Sequence, residues 1–116
     1  MRRGDIHLVE FEPAQGSEAN DRRPAVIVSN DVANVTATRF GRGVITVVPL
    51  TTSLARVYPF QVLLPASRTG LSRDSKAQAE RVRALDVGRV GDYLGLVPFA
   101  LMRRLDDALR IHLDLG

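Results

Sequence analysis

Two short apolar runs constrain this chain more than any other feature: Ala25-Val26-Ile27-Val28 and Val44-Ile45-Thr46-Val47-Val48. Both are rich in β-branched residues and too short for a helix to bury. An uninterrupted apolar run of this length is how a strand covered on both faces reads. Pro24 enters the first run, at the strand position where a missing N–H is tolerated, and Pro49 ends the second. The first run is consistent with a buried central strand, and the second is read as another strand.

The remaining segments fit around that centre. Asp5 to Phe11 alternates, with Ile6, Leu8 and Phe11 apolar and His7 on the opposite face. Phe60 to Leu64 reads as a strand closed by Pro65, Gly70 as a turn, and Gly91 to Val97 as a short strand. Ser75 to Leu85 is helical in composition but alternating in pattern, and is read as a strand. Asn30 to Arg42 is either loop or short helix. Pro98 opens a C-terminal helix, with Leu101, Leu105, Ala108, Leu109 and His112 on one face. Glu12 to Arg22 and Thr51 to Val57 are loops, and a polar loop of the first one's length in a small domain is often functional. The expected architecture is mainly β with α: a strongly bent sheet or small barrel, with the amphipathic helix packed on it. No repeat or linker divides the 116 residues, so 1–116 is read as one domain.

Composition removes several function classes. There is no Cys, His7 and His112 are far apart, and no Asp/Glu cluster has ligand spacing. Neither a metal nor a cofactor is expected. No stretch approaches the ~18 apolar residues of a membrane span, and the N-terminus lacks the apolar core of a secretory signal. A cytoplasmic protein is expected. The formal charge is only +3, yet no acid occurs from Val32 to Ser72, where Arg39, Arg42, Arg56 and Arg68 stand. A basic middle of this kind suits a polyanion such as nucleic acid.

The loops carry more specific information. Arg3-Gly4-Asp5-Ile6, Pro13-Ala14-Gln15-Gly16-Ser17-Glu18, Arg23-Pro24-Ala25-Val26, Val48-Pro49-Leu50-Thr51-Thr52, Tyr58-Pro59-Phe60, Arg73-Asp74-Ser75 and Glu80-Arg81-Val82-Arg83 follow one another in that order. Each is weak alone. Together they resemble the MazF/PemK toxin family from end to end. That resemblance implies an SH3-like fold of the PemK/CcdB type. It implies a homodimer that cuts single-stranded RNA at a short sequence without metal. It also implies a cognate antitoxin whose acidic C-terminal segment blocks the RNA groove.

Metal-free cleavage uses the neighbouring 2′-hydroxyl as nucleophile. It is helped by a base, by donors to the phosphorane oxygens and by an acid for the 5′-oxygen. The resemblance places the catalytic pair at Arg23 and Thr51. A planar guanidinium suits Arg23 to gripping two phosphate oxygens, while a pKa above ~12 makes it a poor proton acceptor. Its neighbour Arg22 competes for the same role. Thr51 offers a hydroxyl to a non-bridging oxygen, or else bonds its own loop. Thr52 is a supporting candidate, and Glu18 either orients Arg23 or is solvated. Glu80 stands where relatives carry an Asp, as a candidate base or as a structural partner of Arg83. Ser17 stands where some relatives carry a His, and Gln78 where they carry an Arg. Ser17, Ser53, Arg56, Tyr58, Arg73 and Lys76 are the expected RNA contacts, with Tyr58 the best-placed aromatic for stacking. The competing functions are a CcdB-like, non-catalytic toxin that binds DNA gyrase and an RNA-binding barrel that does not cut.

Overall fold

In the computed structural model of the chain, residues 1–12 and 21–116 are described. The elements are β1 (Asp5–Glu12), β2 (Asp21–Ile27), α1 (Asp31–Phe40), β3 (Val44–Thr51), β4 (Gln61–Leu64), α2 (Ala66–Thr69), β5 (Ser75–Gln78), β6 (Arg83–Asp86), β7 (Val90–Leu96) and α3 (Phe99–Leu113). All strand pairs are antiparallel. The order is β4-β5-β3-β2-β1-β7, with β6 also paired to β3. β4 and β7 are not hydrogen-bonded to each other, so the sheet is open. Of the two expected architectures the bent sheet is realised and the closed barrel is not.

The two apolar runs lie at the centre, as their composition requires. Val26, Val48 and Leu50 enter one buried cluster with Leu101, Met102, Leu105 and Ala108 of α3. Ala25, Ile27, Ile45 and Val47 enter a second cluster with Ala37 of α1. Helices therefore cover opposite faces of the same strands. β1 serves both clusters, with Ile6 in the first and Val9 and Phe11 in the second. Its side chains alternate between the two faces, in unbroken register with β2 from Ile6 to Glu10. The register shifts near His7 place the extra residues on β7 and leave the alternation of β1 unchanged. Both faces of β1 are covered, so Val9 is buried on the face opposite Ile6, while Leu8, on the Ile6 side, is only half-buried.

Other boundaries also differ from the sequence reading. β2 begins at Asp21, so Pro24 is its fourth residue. Pro24 is tolerated because β2 pairs with β1 from Asp21 to Val26 but with β3 only from Ala25 onward. β3 runs through Pro49 to Thr51, which makes Thr51 the last residue of a strand rather than the first of a loop. The stretch from Ser75 to Leu85 is two strands split by a 3-10 turn at Ala79–Arg81. Both strands pair with β3, and the turn lies opposite Val48 and Pro49, where Pro49 has no N–H to offer. Asn30 to Arg42 resolves as a helix. The Asn30 side chain caps it by accepting from Ala33 N at 2.8 Å, and Gly41 ends it at φ +66°. On α3, His112 is exposed and Met102 joins the buried face instead. Among the described residues no helix is long and apolar enough to cross a membrane.

The N-terminus is tied down by charge. Arg3 N donates to Asp31 Oδ1 at 2.6 Å, while the Arg3 guanidinium reaches Val28 O and Asp106. The bond from Arg3 N, helped by Asn34 and by the charges of Arg2 and Arg3, lowers the Asp31 pKa from its ordinary 3.8. A carboxylate shifted down on folding stabilises the fold above its unfolded pKa. That contribution is lost as pH falls through the lower folded value. Asp31→Asn should therefore be less stable than the wild type at neutral pH, and in urea melts the gap should start to close as pH falls past the ordinary 3.8 and vanish below the lower folded value.

Candidate active site

Arg23 and Thr51 are 28 positions apart in the chain. The pairing of β2 with β3 brings them together. Ala25 faces Pro49 as the last registered pair, and the same register carried two residues further sets Arg23 across from Thr51. Both line a cleft of about 190 Å³ whose other walls are Pro24, Leu50, Thr52 and Ser75. Side chains alternate along β2, so Arg22 points to the other face. There it meets Glu10 at 3.7 Å and lines a separate cleft with Leu8, Arg89 and Asp92. Strand geometry thus puts Arg23, and not Arg22, in the cleft with Thr51.

Arg23 is held from below. Its guanidinium lies 5.4 Å from the Phe11 ring centroid, a cation–π distance. Its Nε is 3.4 Å from Asp21 Oδ1, a contact without hydrogen-bond geometry. The side chain remains 36% exposed, so the group is anchored yet accessible. Thr51 is organised by its own turn, as one reading of it required: Oγ1 accepts from Ser53 N at 3.2 Å. That bond occupies a lone pair and leaves the hydroxyl proton to donate elsewhere. The local turn and a donor role are compatible.

The other expected residues divide. Thr52 is a cleft wall, and Ser53 is exposed beside it, serving Thr51 through its N–H. Arg56, Tyr58 and Phe60 form a stack: Arg56 Cζ lies 5.6 Å from the Tyr58 centroid, and Tyr58 stacks on Phe60 at 5.3 Å and 7°. Tyr58 is 41% exposed, so the platform is open to solvent. Arg73 is exposed near Ser75, whose Oγ donates to Arg73 O at 3.3 Å.

Lys76 is 8% exposed and its Nζ donates to Arg56 O at 2.5 Å, so it fastens the loop after β3 instead of facing a substrate. Glu80 does not pair with Arg83, which meets Glu12 at 3.9 Å. Glu80 Oε2 accepts from Gln61 Nε2 at 2.6 Å, and Glu80 is not among the cleft walls. Gln61 in turn accepts from Tyr58 N, which links Glu80 to the aromatic stack. Ser17 and Glu18 lie outside the described residues. Three contributors went unassigned from sequence: Ser75 as a wall, Phe11 as the shelf under Arg23, and Arg83 on that same ring. Phe11 and Ser75 were visible only as a core residue and as part of Arg73-Asp74-Ser75.

Residues 2–113 match the PemK-like, MazF-like toxins of type II toxin–antitoxin systems. The chain belongs to this family. It is 60% identical over 115 residues to the endoribonuclease MazF9 of Mycobacterium tuberculosis, covering 99% of this chain and 98% of that protein. It is 32% identical to the endoribonuclease EndoA of Bacillus subtilis, over 99% and 96% of the two chains. Its fold superposes on a mycobacterial endoribonuclease solved with its cognate antitoxin, at a TM-score of 0.76 and 27% identity, covering 100% of this chain and 97% of the other. A Deinococcus radiodurans MazE–MazF structure gives the same TM-score at 28% identity, covering 100% and 97%. These toxins do not favour the gyrase-binding or non-cutting alternatives, because the relatives are named endoribonucleases. The cleft between β2 and β3 is the site to examine in this toxin.

Proposed function

We propose that this toxin is a sequence-specific endoribonuclease that cleaves single-stranded RNA without metal, and that Arg23 and Thr51 are its catalytic residues. The convergence of those two side chains on one cleft carries the reading. The scissile phosphate lies against Arg23, whose guanidinium donates to two of its oxygens. Thr51 donates its free hydroxyl proton to a non-bridging oxygen and holds the phosphate in line. The 2′-oxygen attacks phosphorus and loses its proton, the bond to the 5′-oxygen breaks, and that oxygen takes up a proton. The products are a 2′,3′-cyclic phosphate and a 5′-hydroxyl. Both residues act on charge that builds up in the transition state, so their contribution is to stabilise and align.

The same cleft accounts for the partners. A guanidinium that takes a phosphate also takes a carboxylate, so the cognate antitoxin places its acidic C-terminal segment over Arg23. The chain acts as a single domain, 1–116, in a cytoplasmic homodimer. Purified protein incubated with mixed RNA in EDTA should retain full cutting, with ends mapped to a short recurring sequence. A substrate carrying 2′-deoxyribose at the scissile nucleotide should resist. Loss of cutting in EDTA would remove the metal-free reading, and equal cutting of the deoxy substrate would remove the 2′-hydroxyl as nucleophile.

A further inference from the structure

The mechanism above leaves one cation on the Phe11 ring unused. Arg83 enters from β6, where pairing with Val47 sets it on the same sheet face as Arg23 and Phe11. Its Cζ lies 5.4 Å from the Phe11 centroid, the same distance as that of Arg23. The two guanidinium groups are therefore separated by no more than twice that distance.

Compensation nearby is loose. Arg83 NH1 is 3.9 Å from Glu12 Oε1, a carboxylate whose side chain is 70% exposed. Among the described residues the Arg83 side chain makes no hydrogen bond, and it is 42% exposed. Phe11 is only 2% exposed, so its ring cannot stack a base and serves instead as a shelf for two cations. Glu12 and Asp21, which meet Arg83 and Arg23, are register partners at the end of the β1–β2 pair. A pair of cations on one shelf, with exposed carboxylates as weak partners, is built to receive an extended anion.

The geometry points to Arg83 as a second phosphate-binding residue, gripping the phosphate next to the scissile one and so laying the strand across Arg23 and Thr51. This rests on the reading of the cleft as an RNA site. Arg83 binds substrate away from the reacting atoms, so its loss should raise KM and leave kcat within about twofold.

The test uses the full chain and a fluorescent, fully 2′-O-methylated, mixed-sequence single strand, which 2′-hydroxyl attack cannot cut. Arg83→Gln should weaken its binding about tenfold. The slope of log K against log salt should fall by ~0.7, the value of one single-strand phosphate contact. Arg83→Lys should keep that slope and recover part of the affinity. Unchanged affinity and slope in a folded Arg83→Gln protein would overturn the proposal, as would a kcat loss with unchanged binding. If the wild type binds the methylated strand but cuts no RNA, the nuclease reading fails while the slope still decides the Arg83 contact.

Discussion

Arg23→Ala is expected to lower kcat/KM for RNA cleavage by about 10²–10³ while the protein remains folded. That is the usual cost of removing one preorganised donor from a developing oxyanion. The fold should tolerate the change because the side chain is 36% exposed and its ion pair to Asp21 lacks hydrogen-bond geometry. Arg23→Lys keeps the charge but loses the planar two-point grip, so it should stay impaired by at least about tenfold. Thr51→Ser keeps the hydroxyl and should retain most activity, whereas Thr51→Val should not. In the proposed site the two residues share one phosphate, so Arg23→Ala combined with Thr51→Val should lose less than the product of the single losses. Single-turnover cleavage of a mapped substrate, with circular dichroism to confirm folding, checks all of these. Near-wild-type cutting by Arg23→Ala would move the site out of this cleft.

The parts of this protein legible from sequence are those governed by local pattern. Ala25–Val28 and Val44–Val48 identify the central strands because nothing else can bury such runs. Pro98 and the apolar spacing from Leu101 identify α3. The errors fall where tertiary pairing overrides pattern. Thr51 looks like loop because Pro49 looks like a strand end, yet β5 and β2 hold the strand on either side of that proline. Ser75 to Leu85 looks ambiguous because it is two strands with a 3-10 turn between them. The site divides in the same way. Resemblance selects Arg23 and Thr51, but only the β2–β3 register explains why they meet. Lys76 reads as a surface cation from its charge. Its burial follows from pairing with Thr51 beneath the loop that carries Arg56. Phe11 reads as plain core, and its role under two arginines has no local signature at all.

Among the described glycines, Gly95→Ala should be the most destabilising alanine substitution, and the reason lies in how the open sheet is finished. The edge strands β4 and β7 do not pair, but α2 follows β4 and brings Thr69 against β7. A Cβ on Gly95 would sit 2.3 Å from Thr69 O and 3.3 Å from Thr69 C. Those are backbone atoms, so no rotamer change relieves the clash. Movement of α2 is resisted on both sides: Gly70 closes it at φ +82°, and Ala66 N is held by Asp74 Oδ1 at 2.8 Å. Overpacking that side chains can absorb costs ~1–3 kcal/mol, and a backbone clash should reach or exceed the top of that range. Gly41→Ala is the matched control. Nothing lies within 4 Å of its Cβ, and only its φ of +66° opposes the change, at about 1 kcal/mol. Urea melts should therefore rank wild type, Gly41→Ala and Gly95→Ala in descending stability. If Gly95→Ala melts with Gly41→Ala or above it, the close approach of α2 to β7 is absent in solution. The gap between the two edge strands would then need a different closure.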